Sequence, residues 1–106
     1  MTSGRPNARQ LQAEAKIRRK AKKRIFETIL EKIYQRIELK ASLDWTRLVY
    51  EVPPFVVGVP PYDVVECGEY LRRALKKDGY IVEIYGGTVL YVSWDGSEEI
   101  SKETSI

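Results

Sequence analysis

The sequence has no histidine, one cysteine (Cys67) and one methionine, the first residue. Without imidazole, His-based acid–base chemistry and the Ser-His-Asp and Cys-His nucleophiles are excluded. With a single thiol there is neither a Cys/His zinc site nor an intrachain disulfide, which suits a reducing or redox-indifferent setting. No run of 18 apolar residues occurs, so no membrane span is expected. No apolar stretch follows the N-terminal basic residues as it would in a signal peptide. What remains is 106 residues, 43% hydrophobic and 31% charged, enough for one small folded domain. The balance favours a binding or structural module over an enzyme.

Negative charge is almost missing from the first quarter of the chain. Residues 1–25 carry nine cations, Arg5, Arg9, Lys16, Arg18, Arg19, Lys20, Lys22, Lys23 and Arg24, against Glu14 alone. That segment is +8, and residues 26–106 are −5, within a total of +3. The protein reads as a basic arm (1–24), a mildly acidic domain (25–94) and a polar acidic tail (95–106). The run "KIRRKAKKR" holds no aromatic residue, so it offers cations and not base stacking. It fits three uses: a solvated extension, a strip docked on an acidic protein surface, or a phosphate binder whose affinity falls steeply with salt.

Gly4 and Pro6 make residues 1–7 a flexible lead-in, and no Gly or Pro follows until Pro53. From Ala8 the residues are strong helix formers. Ile25, Phe26, Ile29, Leu30, Ile33, Ile37 and Ala41 recur at steps of three and four, which predicts an amphipathic helix over 24–41 that extends back toward Ala8. Thr46–Val52 alternates as a half-buried strand with Leu48, Tyr50 and Val52 inward. Pro53-Pro54 ends it, and "FVVGVPPY" is expected to be a rigid, extended apolar connector. Asp63 is a good N-cap, with Glu66 completing a capping box. The following helix has a stripe of Val64, Cys67, Leu71, Ala74 and Leu75, and Gly79 is its left-handed cap. Residues 80–85 and 88–94 read as strands joined by Gly86-Gly87 in a type I′ hairpin. The expected fold is α+β: a long N-terminal helix, then a three-stranded antiparallel sheet with a second helix, in the order helix–strand–helix–hairpin.

None of the chemistry-bearing residues forms a catalytic constellation. Cys67 lies on an apolar helix face with no cation to lower its pKa and reads as structural. Asp63, Glu66 and Glu69 are explained by capping and solvation of a helix, and Gly86-Gly87 lacks the context of a phosphate loop. No cofactor or metal is expected. The seven tyrosines and two tryptophans are the residue types that anchor interfaces. Phe55, Tyr62, Tyr85 and Trp94 are the candidate surface anchors. Arg18, Arg19, Lys20, Lys22, Lys23 and Arg24 are the candidate cations of the arm.

The block from Tyr50 to Trp94 carries Val52-Pro53, Gly58-Val59-Pro60, Glu66-Cys67, Leu71, Gly79-Tyr80, Val82, Leu90 and Ser93-Trp94. In that string it resembles a small family of nucleocytoplasmic large DNA viruses of the algal-virus and giant-virus kind. Members often place Asn or Pro in the hairpin turn, from which Gly86-Gly87 departs. The resemblance implies a viral protein, in the virion and in host cytoplasm or nucleus during assembly, with no catalytic residue. It suits a minor capsid or cement protein of an icosahedral shell, bound to capsid proteins or another protein assembly through its aromatic domain and basic arm. The alternative is DNA binding, either non-specific genome condensation or a winged-helix mode, for which one more helix before the hairpin would be needed.

Overall fold

The first helix, α1 (Ala8–Ser42), runs unbroken through the expected boundary between arm and domain at 24/25. The structure, a computed structural model, describes residues 5–96. The first four residues of the lead-in and the acidic tail from residue 97 onward lie outside the described residues. Asn7, taken from sequence as part of a flexible lead-in, is the N-cap: its side chain accepts the Arg9 N–H at 2.8 Å, as Asx residues do at helix starts. The boundary at 24/25 survives as a change in burial. Phe26, Ile29, Ile33 and Ile37 are buried, whereas residues 16–24 are all exposed.

The remaining elements are β1 (Arg47–Glu51), α2 (Val64–Lys77), β2 (Ile81–Tyr85) and β3 (Val89–Ser93). They include a three-stranded antiparallel sheet with β3 in the middle, order β1-β3-β2. The register places Leu48, Val92 and Val82 abreast, and Tyr50, Leu90 and Ile84 abreast two residues along. This face meets the stripe of α1 and the Cys67, Leu71 and Leu75 side of α2, forming one core. The two helices cover the same side of the sheet. Its other side leaves Val49 and Tyr85 exposed, with Val89 and Tyr91 half-buried.

The turns show which backbone strains the chain accepts. Gly86 and Gly87 both have positive φ, at 61° and 77°, as a type I′ turn demands. The ladder nevertheless closes on Tyr85↔Val89, so Thr88 is an extra residue, its carbonyl taken by the Val52 N–H at 2.8 Å. At the end of α2, Gly79 (φ 95°) sets a Schellman closure, Gly79 N–H to Lys76 O and Tyr80 N–H to Leu75 O. The same closure ends α1, with Trp45 N–H to Lys40 O and Asp44 N–H to Ala41 O. There, however, the left-handed position is Asp44 (φ 65°).

The connector is not uniformly extended. Gly58 (φ 83°) turns it, with Val59 N–H donating to Val56 O at 3.1 Å. It occupies the place where a winged helix would carry its additional helix, so that arrangement is not built. The capping box is half realised: Asp63 Oδ1 accepts from Glu66 N–H at 3.0 Å, but the Glu66 carboxylate turns to Lys22 Nζ at 3.1 Å.

Gly68 sits inside α2, where glycine ordinarily costs about 1 kcal/mol relative to alanine. Here a Cβ would stand 2.9 Å from the backbone oxygen of Gly87, so the glycine lets the helix seat on the hairpin turn. Two substitutions should therefore behave opposite to helix propensity. Gly68→Ala should destabilise by roughly 1–3 kcal/mol through overpacking. Asp44→Gly should stabilise by roughly 0.5–1 kcal/mol by relieving the left-handed strain and removing an anion from a helix C-terminus. Thermal melting of both variants against the parent reads the two signs.

Candidate nucleic-acid interface

Residues 8–24 of α1 form a rod roughly 25 Å long that carries eight cations and one carboxylate. The buried stripe stops at Ile25–Phe26, and Lys22, Arg19 and Arg18 take over the same side toward the N-terminus, with Ala15 and the exposed Leu11 beyond them, so the rod runs clear of the folded head (residues 25–94). This is why a domain of modest girth measures 66 × 34 × 22 Å. All six arm residues singled out from the sequence (Arg18, Arg19, Lys20, Lys22, Lys23 and Arg24) are exposed. The eight cations span about two thirds of the circumference at 3.6 residues per turn. Only Lys22 has a carboxylate partner among the described residues, the exposed Glu66, a pair of a kind worth little in free energy.

The four proposed anchors divide. Phe55 is 71% exposed and Tyr85 is also open to solvent. Tyr62 and Trp94, expected on the surface, are half-buried and pack against the core. Tyr62 meets Phe26 edge-on at 6.3 Å and donates its hydroxyl to Pro53 O at 2.5 Å. Trp94 meets Tyr80 edge-on at 6.2 Å. Their amphipathic rings close the core margin, where one end is dry and the other wet. From sequence, the connector's apolar side chains Phe55, Val56, Val57 and Val59 suit either cover of the domain's own core, the favoured use, or presentation to a partner. Val57 does not cover the core but stands 89% exposed at the tip of the turn that Gly58 makes. Beside it, Ile25, Ile29, Val56, Val59 and Pro60 line an apolar groove of about 300 Å³ with Arg24 and Lys32 at its rim.

On the flank of α1 opposite this groove, at 100° per residue, Lys23 and Tyr34 face α2 across a cleft of about 750 Å³. Arg73, Lys77 and Tyr70 line its far wall, and Asp78 accepts a hydrogen bond from the Tyr34 hydroxyl. Burial, reinforced by Asp78, raises the Tyr34 phenol well above the ordinary tyrosine range. Burial is also the leading cause of the upward shifts of Tyr50, Tyr62 and Tyr70. On α2, Arg72 is engaged with Glu69 at 3.0 Å and holds that carboxyl below its usual range.

Cys67 is fully buried, and burial, with Glu66 adding to it, pushes its thiol up to about 11. It is a packing residue. No helix of the described residues is long and apolar enough to cross a membrane, and no group of His, Cys, Asp or Glu among them is placed to hold a metal ion.

The profile of one protein family matches residues 6–76, two thirds of the chain. The chain belongs to DUF5759, a family of unknown function. The shared segment begins ahead of the rod and ends in the last turn of α2, so the family's defining stretch takes in the rod together with the head. The hairpin lies beyond it. No curated protein and no solved structure matches the chain.

Two chemical readouts follow. The Cys67 thiol should ignore a disulfide reagent at pH 8 in the native protein and react at once in denaturant, reporting global opening. Cys67 and the buried tyrosines all have folded pKa values raised above their unfolded ones. Their contribution is whole below the unfolded values and lost as pH rises beyond them, first for Cys67 above about pH 9 and then for the tyrosines above about pH 10. The urea midpoint should hold from about pH 7 to about 8, begin to fall near about pH 9 and fall more steeply above about 10.

Proposed function

We propose that this chain is a non-enzymatic structural protein that ties a nucleic acid to a protein shell. The rod of α1 binds backbone phosphates of a duplex without reading sequence, and the head lodges on a protein neighbour through Phe55 and Val57. The resemblance of residues 50–94 to the large-DNA-virus family points this role to a virion, as a minor capsid protein with a genome-facing rod.

One observation supports this best: the cations are spread around the rod. Docking on an acidic protein surface uses one side of a helix and leaves cations on the other side facing water. The major groove of a duplex, about 12 Å wide, admits an α-helix and walls it with phosphates on two sides. Contacts of that kind position a protein and carry no sequence information. The repulsion inside the rod points the same way. Lys16–Lys20, Arg18–Lys22, Arg19–Lys23 and Lys20–Arg24 are like-charge pairs at i, i+4, each destabilising by about 0.2–0.5 kcal/mol. A polyanion relieves them all together. The head's support is the pair of exposed apolar side chains Phe55 and Val57, on the same connector whose Val56, Val59 and Pro60 line the apolar groove.

The test is fluorescence anisotropy with two 30-bp duplexes of unrelated sequence across a salt series. Equal affinities are expected, with log K falling by about 4–6 per decade of salt for roughly five to seven phosphates neutralised. A variant lacking residues 1–24 should keep the circular dichroism of a folded head and lose binding. Failure of the full chain to bind either duplex at about 50 mM salt, where such binders are strong, while it binds polyglutamate would move the rod to an acidic protein surface.

A further inference from the structure

The cations of the rod are not evenly placed along its length. Arg9, Lys16, Lys20 and Lys23 stand at steps of seven, four and three, so they share one side of α1. Lys23 is the last of them and lines the α1–α2 cleft, where Arg73 and Lys77 come in from the other wall. The cleft is therefore where a linear track on one helix meets two cations that only the tertiary fold brings there.

These cations are differently committed from their neighbours. Arg72, adjacent in sequence, makes three hydrogen bonds to the Glu69 carboxylate. Arg73 has as its described bond only Nε to the Glu69 carbonyl at 3.4 Å. Lys23 and Lys77 have no ion pair among the described residues. The one carboxylate in the cleft, Asp78, is engaged by the Tyr34 hydroxyl. Glu27, one turn beyond Lys23, is the nearest further negative charge on that side of α1. Three cations against Asp78, with the Tyr70 hydroxyl as a further donor, make a site for an oxyanion that hydrogen-bonds and carries charge.

We infer that the α1–α2 cleft is a phosphate-binding site that continues the rod's track onto the head, receiving backbone phosphates of the same duplex between Lys23, Arg73 and Lys77. This rests on the reading of the rod as a nucleic-acid binder, and it adds direction. A duplex seated there passes on the α2 flank of α1. The apolar groove that the connector residues Val56, Val59 and Pro60 line lies on the opposite flank and stays open to protein. Which flank of the head faces the duplex would then be set by tertiary structure and not by the rod alone.

The experiment is the same anisotropy titration on the full chain, comparing Arg73→Ala/Lys77→Ala with Lys32→Ala/Arg47→Ala. Both double variants lose two positive charges, but the second pair lies outside the cleft. All four side chains are on the surface, and thermal melting checks that folding is unchanged. The cleft pair should lower the magnitude of the salt slope by roughly 1–2 and weaken binding about tenfold at moderate salt. The control pair should move neither by more than a small long-range effect. In parallel, amine acetylation should be suppressed by bound duplex at Lys23 and Lys77 but not at Lys32. Equal weakening by both pairs would mean that only net charge matters and would overturn the site. A cleft variant indistinguishable from the parent, or unprotected Lys77, would also overturn it while leaving the rod as a binder. If the parent chain binds no duplex at all, the underlying reading fails first, and the site with it.

Discussion

Burial of one apolar stripe on α1 is the interaction on which the rest of the molecule depends. Phe26, Ile29, Ile33 and Ile37 are four large side chains, each worth about 1.5–3 kcal/mol when fully removed from water. Their sum is comparable to the whole net stability of a small domain. A three-stranded sheet cannot stand alone with an uncovered apolar face, and α2 is too short to cover it. The stripe completes that cover, touching both β1 and α2. It also ends abruptly, and its end defines where the head stops and the rod begins without any break in the backbone.

The smaller contacts fix how α2 and the hairpin sit on that foundation. Gly68 gives up helix propensity so that the Gly87 carbonyl can approach. Tyr34 reaches from α1 to Asp78 at the far end of α2. At its near end the exposed Lys22–Glu66 pair adds little, so packing of the buried stripes holds the two helices together there. Tyr62 and Trp94 close the margins with their rings. Most of the aromatic excess that suggests an interface in the sequence is spent inside the domain.

Element order, strand faces, the α2 caps and both hairpin glycines were legible because each rests on a local rule: period 3.6, period 2, or a residue that tolerates positive φ. What was not legible is tertiary. Glu66 has the spacing of a capping box, yet a distant lysine competes for its carboxylate. Asp44 is of a residue type that visits the left-handed region more readily than most, but no glycine marks the end of α1, and the cap is visible only once Trp45 N–H closes on Lys40 O. Tyr62 and Trp94 have the composition of anchors, and only the packing of Phe26 and Tyr80 shows them to be core margin. The cleft joins residues 23 and 77, and no spacing rule connects positions so far apart. The rod's cations were visible as a count, but their arrangement around and along a continuous helix required the helix itself.

That continuity changes what the basic segment can do. An isolated 17-residue peptide would have to nucleate a helix, which is unfavourable, and then hold it against its own charge. Joined to a half that is already packed, it needs only propagation, and its Ala, Gln, Lys and Arg content favours that step. The head therefore acts as the nucleus, and the remaining opposition is electrostatic. Anions that pair with the rod remove that opposition, so helix order and anion binding are coupled: each favours the other by the same free energy. Salt screens both the repulsion within the rod and the attraction to a polyanion. Raised salt should then leave the free rod more helical even as it weakens the complex. Such a sign difference separates a charge-frustrated helix from an unstructured basic tail, for which screening removes affinity and adds no order.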